Sequence, residues 1–177
     1  MSVFKLEAGA EFPSINKSTL DGDSRDLSKP EAGKDWQMLI VYRGRHCPLC
    51  TRFLNELAPF KERLAAINID LVAVSGDSKE QLAEHTSRLE VNFPLFYGLS
   101  LEEMKSLGLY ISHPRSEQET DHPFAEPGLY VINEQGTLQV VDISNNPFVR
   151  PDLENLVSGL EWIRKNDYPI RGTFSYN

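Results

Sequence analysis

Two kinds of apolar pattern alternate along the chain. Met38-Leu39-Ile40-Val41-Tyr42 is an unbroken apolar run bounded by polar residues, and Ile69 to Ser75 (IDLVAVS) is nearly one. Short runs rich in β-branched residues predict strands buried on both faces of a sheet. Between them Leu49, Phe53, Leu57, Phe60 and Leu64 recur at steps of four, four, three and four, which marks one face of a helix. Pro48 suits the first helical turn, where a missing N–H costs nothing. Pro59 lies further in and predicts a kink or an end. Ser78 to Gln81 and Ser100 to Glu103 are capping boxes opening two more helices. The first runs to about Leu89, and Gly108 is the expected stop of the second. Phe93 to Tyr97 reads as a short strand.

Leu129 to Asn133 and Leu138 to Ile143 flank the turn Glu134-Gln135-Gly136-Thr137 and predict a hairpin. Leu153, Leu156, Val157, Leu160 and Ile163 make a final amphipathic helix, with Pro151 near its start. Two stretches lack such order. Gly9 to Lys34 is turn-rich and reads as loops with short strands. Residues 112–126 (SHPRSEQETDHPFAE) are polar, with no apolar periodicity. A loop that long is uncommon in a compact domain and is often functional. The order strand, helix, strand, helix, strand, helix, hairpin, helix predicts an α/β fold. The early βαβ unit implies a parallel pair with a right-handed crossover, the late hairpin makes the sheet mixed, and helices should cover both faces.

A length of 177 residues fits one domain, residues 1–177. With 40% hydrophobic and 25% charged residues the composition is that of a globular protein, neither disordered nor membrane-embedded. The net charge of −8, without any basic run, excludes a nucleic-acid partner. MSVFKLEAGAEF has no long apolar stretch and no small-residue cleavage site, so neither a signal peptide nor a membrane span is expected. A cytoplasmic location follows as the expectation, and thiols are kept reduced there.

That setting changes how HCPLC, residues 46–50, is read, for it holds both cysteines of the chain. A C-x-x-C beside a βαβ pattern in a reducing compartment points to redox chemistry rather than a structural staple. Cys47 follows a buried strand and opens a helix, where free backbone N–H groups and the positive end of the dipole favour a thiolate. Arg43 and Arg45 add positive charge nearby, a setting that lowers a cysteine pKa; the alternative is that they are solvated or salt-bridged to acids, and the thiolate role is expected of at least one. Cys47 is therefore the expected nucleophile. Cys50, one turn on and more buried, suits the resolving role.

His46 is either an acid or base beside Cys47 or a rim residue that tunes charge. His85 falls on the inward helix face and reads as a core histidine; His113, Arg115 and His122 read as surface residues. Zinc needs about four ligands, and the four histidines stand at no familiar spacing, so no metal is expected. Two inert buried thiols are the remaining alternative.

Taken together, GAEFPSINKSTLDGDSRDLSK, WQMLIVYRGRHCPLCTRFLNEL, IDLVAVSGDS and EPGLYVINEQGTLQ resemble the thioredoxin-like superfamily. Within it they resemble the peroxiredoxin-like branch of alkyl hydroperoxide reductase and thiol-specific antioxidant type, in a subgroup with a C-x-x-C site. The resemblance implies a thioredoxin-like fold, an antioxidant oxidoreductase without organic cofactor, a peroxide or disulfide substrate and an external thiol reductant of thioredoxin or glutathione type. A homodimer is an expectation of the resemblance alone.

Cys47 falls at the family's peroxidatic position. The family's threonine or serine three before it is Gly44 here, its proline seven before is Ile40, and its later arginine is Pro127. Pro127 instead matches the cis-proline of thioredoxins, while the buried aspartate that thioredoxins carry six before the nucleophile is Val41. Peroxide reduction is thus the favoured activity. Thiol–disulfide exchange and a redox-switched binding module built on residues 112–126 are the alternatives.

Overall fold

Each of three central strands divides its side chains between two cores, which is why their sequences look apolar throughout. In the computed structural model, which describes residues 4–176, Met38, Ile40, Leu71, Ala73, Leu129 and Val131 enter one cluster with Phe53, Leu54, Leu57, Leu64, Val157 and Leu160. The alternate residues Leu39, Val41, Val72, Val74, Tyr130 and Ile132 enter a second with Phe12, Leu27, Met104 and Leu107. A fully buried side chain of this size contributes roughly 1.5–3 kcal/mol, so both faces must be covered.

The elements in order are β1 (Asn16–Ser18), β2 (Ser24–Asp26), β3 (Trp36–Val41), α1 (Pro48–Leu57), α2 (Lys61–Ala66), β4 (Ile69–Val74), α3 (Lys79–His85), β5 (Leu95–Phe96), α4 (Leu101–Ser106), β6 (Ile111–Ser112), β7 (Phe124–Ala125), β8 (Gly128–Ile132), β9 (Leu138–Ile143) and α5 (Leu153–Asn166). The five-stranded sheet runs β5-β4-β3-β8-β9. β3, β4 and β5 are parallel, and β8 is antiparallel to both its neighbours. α1, α2 and α5 supply one core and α4 with the N-terminal segment the other.

Local signals act where expected. A tight turn at Ala58–Phe60 separates α1 from α2 at Pro59, which cannot continue the hydrogen-bond ladder. Both capping boxes form. Gly108, at φ +68°, ends α4 with its would-be Cβ only 2.8 Å from the Lys5 backbone. The strand expected over 93–97 shrinks to Leu95–Phe96, since Pro94 has no N–H to give and Gly98 turns the chain.

Residues 113–123 form the expected loop, and only the ends of the 112–126 stretch differ from expectation. The ends of the stretch zip together, Ile111 against Ala125 and Ser112 against Phe124, and the Glu126 N–H bonds the Tyr110 carbonyl at 2.8 Å. Two-residue strands leave no period to detect.

The topology fixes where chemistry can sit. Val41, at the end of β3, pairs with Val74, the end of β4, and with Gly128, the start of β8. The segments 42–47, 75–78 and 113–127 therefore leave the sheet at one edge. The open end of an α/β sheet beyond its carboxyl-terminal strand ends is where ligand sites form.

Candidate active site

Gly44 sets the turn from β3 into α1. Its φ is +140°, and a Cβ there would stand 2.5 Å from Asp77 Oδ1; only glycine lets the backbone come so near. Asp77 is fully buried. Its Oδ2 accepts the Arg45 backbone N–H at 2.8 Å, and its own N–H bonds Ser75 Oγ at 3.1 Å. The segment after β4 thus braces the turn that carries the cysteines. The Cys47 N–H bonds the Gly44 carbonyl at 3.2 Å. Cys47 then caps α1, with Sγ accepting the Cys50 N–H at 3.4 Å and Pro48 opening the helix.

Both cysteines are free thiols, and they approach to 3.0 Å. Cys47 is 2% exposed and Cys50 fully buried. The Cys50 thiol donates to Cys47 and is the largest influence holding Cys47 down to about 6, helped by the Cys50 backbone N–H and by Arg43 against the cost of burial. Thiolate therefore predominates on Cys47 at neutral pH. Burial, and then the hydrogen bond it donates, push Cys50 up, with Arg150 opposing.

Arg43 reaches the Cys47 sulfur with its guanidinium. It is fixed by an ion pair to Glu126 at 3.0 Å and by packing over the Phe124 ring, 4.7 Å from its centroid. Glu126 is 2% exposed and also accepts Ser112 Oγ–H at 2.6 Å. So the zipped strands β6 and β7 place the carboxylate that aims Arg43.

Arg150 comes from the segment between β9 and α5. Its Nη2 donates to Cys50 Sγ at 2.9 Å and its Nε to the Pro147 carbonyl at 2.6 Å, while the guanidinium lies 4.5 Å from the Phe53 ring centroid. Each sulfur thus has its own arginine.

Of the residues singled out from sequence, Cys47, Cys50 and Arg43 come together. Arg45 does not join them by its side chain, which turns outward to Glu84 at 3.3 Å; only its backbone serves the turn. The His46 ring packs on Phe124 at 4.5 Å, and burial holds it below the ordinary histidine value. His85 is fully buried, as expected, with Nε2 2.7 Å from Thr51 Oγ1.

Pro127 needs correction: the described residues contain no cis peptide bond, so it is not a cis-proline. Its carbonyl accepts the Ser144 N–H at 3.1 Å, which fixes the start of the segment bearing Arg150. His122 is also more than a surface residue, since Nε2 lies 3.2 Å from Asp77 Oδ1; His113 and Arg115 are exposed. Sequence reasoning misses Arg150, Asp77 and Glu126. Glu126 adjoins Pro127, Asp77 adjoins the capping Ser78 and Arg150 adjoins Pro151, but none of these neighbours marks its residue as part of a site. Among the described residues no group of three or more His, Cys, Asp or Glu is placed to hold a metal, and no helix is long and apolar enough to cross a membrane.

The AhpC/TSA family model matches residues 8–141. The chain belongs to the AhpC/TSA family. It is a thiol-dependent oxidoreductase of peroxiredoxin type. No curated protein matches it in sequence. Among solved structures, a cysteine-to-serine mutant of peroxiredoxin 6 from Arenicola marina superposes with a TM-score of 0.76 at 14% identity, covering 92% of this chain and 76% of that one. A peroxiredoxin-like protein from Aquifex aeolicus gives 0.68 at 16% identity, covering 90% and 88%. AhpC from Mycobacterium tuberculosis gives 0.71 at 12% identity, covering 90% and 99%. At these identities the likeness is one of fold, and the AhpC/TSA chain has the expected thioredoxin-like α/β architecture.

Proposed function

We propose that Cys47 reduces a peroxide and that Cys50 then closes a disulfide with it. The supporting observation is a buried Cys47 sulfur with the Cys50 thiol 3.0 Å away, held toward thiolate first by the hydrogen bond from that thiol and then by the Cys50 backbone N–H and Arg43. In the first step the thiolate attacks a peroxide oxygen. An S–O bond forms and the O–O bond breaks. The leaving alkoxide or hydroxide takes a proton and departs as alcohol or water. Cys47 has become a sulfenic acid, oxidised by the two electrons the peroxide gained.

In the second step the Cys50 sulfur attacks Cys47 Sγ. The S–S bond forms, the S–O bond breaks, and the hydroxide leaves as water. An external thiol of thioredoxin or glutathione type returns the dithiol. Arg43 stands in for the family's missing cation at position 127, since its guanidinium is the charged donor beside the reacting sulfur. The 2% exposure of Cys47 favours a small substrate over a protein disulfide, which requires the sulfur at the surface. In a cell this cycle belongs in the reducing cytoplasm.

The test is stopped-flow oxidation of reduced protein by stoichiometric hydrogen peroxide, with thiol counting and the emission of Trp36 and Trp162. Rapid loss of both thiols, abolished in Cys47→Ser, is expected. Loss at the rate of a free thiol, with disulfide exchange retained, would overturn the proposal. It would leave thiol–disulfide exchange, which the absence of the family's residues at positions 44 and 127 favours.

A further inference from the structure

Cys50 is badly placed to act as a nucleophile in the resting protein. It is fully buried and donates its proton to the Cys47 thiolate. Yet the second step needs negative charge on this sulfur at the moment of attack. Arg150 is the one side-chain cation within hydrogen-bond distance of Cys50 Sγ among the described residues.

Arg150 is also built for that position. The Nε–H is fixed on the Pro147 carbonyl, the plane packs on Phe53, and Nη2 donates to the sulfur at 2.9 Å. The segment carrying it is anchored at both ends. The Ser144 N–H bonds Pro127, and Asp152 caps α5 through the Asn155 N–H at 2.9 Å. A guanidinium held by two contacts besides the sulfur needs no reorganisation when charge develops on that sulfur, which is the condition for electrostatic catalysis.

We propose that Arg150 is a catalytic residue of the resolving step: its guanidinium carries the negative charge that Cys50 takes on as it attacks the oxidised Cys47. The inference rests on the two-step cycle above and adds its timing. While Cys47 is a thiolate, the Cys50 proton is held between the sulfurs. Once Cys47 is a sulfenic acid, that negative charge has gone and the proton has lost its acceptor. Arg150 remains, along with the Arg43 backbone N–H. Cys50 then loses its proton, forms the S–S bond and expels hydroxide, which takes up a proton to leave as water. Oxidation of one sulfur thereby activates the other. The groups facing Cys50 are Cys47, Arg150, Arg43 through its backbone, and the buried Tyr42.

The experiment compares wild type, Arg150→Gln and Arg150→Lys in single-turnover oxidation by hydrogen peroxide across pH, with dimedone trapping of sulfenic acid. In Arg150→Gln the closure phase should slow about tenfold relative to the first phase. Its pH midpoint should rise, and trapped sulfenic acid should accumulate. Arg150→Lys should restore part of the rate, because charge is kept but the planar fork is lost. Closure at the wild-type rate and pH profile in Arg150→Gln would overturn the proposal.

A second measurement separates this from failure of the peroxidase reading. In a Cys47→Ser background, the Cys50 thiolate absorbance in the ultraviolet is titrated with and without Arg150→Gln. An upward shift on losing Arg150 supports the assignment even if peroxide proves a poor substrate. An unchanged titration refutes it, whatever the substrate is.

Discussion

The ionised Cys47 should be visible in the stability of the reduced protein. Cys47 is held down to about 6 in the folded chain, against about 8.5 in an unfolded one. A group whose value is depressed by folding adds stability that is complete above the unfolded value and is lost as pH falls through the folded value. Between about pH 6 and 8.5 the unfolded state keeps one more proton on Cys47 than the folded state does. Stability should therefore rise by about 1.4 kcal/mol per pH unit from this group, up to about 3 kcal/mol in all. Cys50 acts in the opposite sense. Its value is raised, so its contribution is complete below the unfolded value and declines as pH rises further, which ends the climb near about pH 8.5. The perturbation is Cys47→Ser, which removes the titrating group and keeps the size. The assay is urea unfolding of both reduced proteins from about pH 5.5 to about pH 8.5, the window in which the folded and unfolded thiols differ. The difference between the two free energies should widen steadily with pH. Parallel curves would mean that Cys47 is an ordinary thiol, and the argument from Arg43 and Cys50 would fall.

Other perturbations probe the surrounding frame. Gly44→Ala forces a side chain into Asp77 at positive φ and should cost about 3 kcal/mol in chemical denaturation. Arg43→Gln should raise the Cys47 titration midpoint by about one unit, read as thiolate absorbance. It should also destabilise the fold by about 3 kcal/mol, because Glu126 is left buried without its cation. Tyr130→Phe removes a buried hydroxyl that donates to the Leu107 carbonyl at 2.7 Å and should cost about 1 kcal/mol of thermal stability. His122 is raised above its ordinary value, first by its hydrogen bond to Asp77. Its grip on Asp77 is thus complete below about pH 6.5 and is lost as pH rises through the higher folded value. Amide exchange in residues 113–123 should quicken across that range by more than the intrinsic base catalysis of exchange, and His122→Gln should remove that excess.

The frame of the molecule is legible in the sequence because it rests on local rules. The buried strands, the broken helix at Pro59 and both capping boxes follow from residues within one or two turns of each other. The cysteine pair is legible for the same reason: strand, turn, Cys-Pro and helix are contiguous. Arg150 and the two buried carboxylates that complete the site are not. Arg150 stands 100 residues from Cys50 and Asp77 stands 32 from Arg45; Glu126 is 83 from Arg43. No period or motif links them, and only the sheet topology brings their segments to one edge. His122 misleads for a related reason. A histidine in a polar stretch looks solvated until the fold lays it against a buried carboxylate.

This division bears on how the site departs from its family. The arginine expected at the start of β8 is replaced by Pro127, which has no charge to offer. Cations reach the sulfurs from elsewhere, Arg43 from just past β3 and Arg150 from just before α5. Neither move disturbs the sheet, because each needs only a partner to hold it: Glu126 and Phe124 for one, the Pro147 carbonyl and Phe53 for the other. Pro127 retains a part, since its carbonyl anchors Ser144 at the head of the segment that ends in Arg150. The departure therefore has a direction. This site brings one guanidinium to each sulfur, which is what the proposed cycle asks of a second thiol one helical turn from the first.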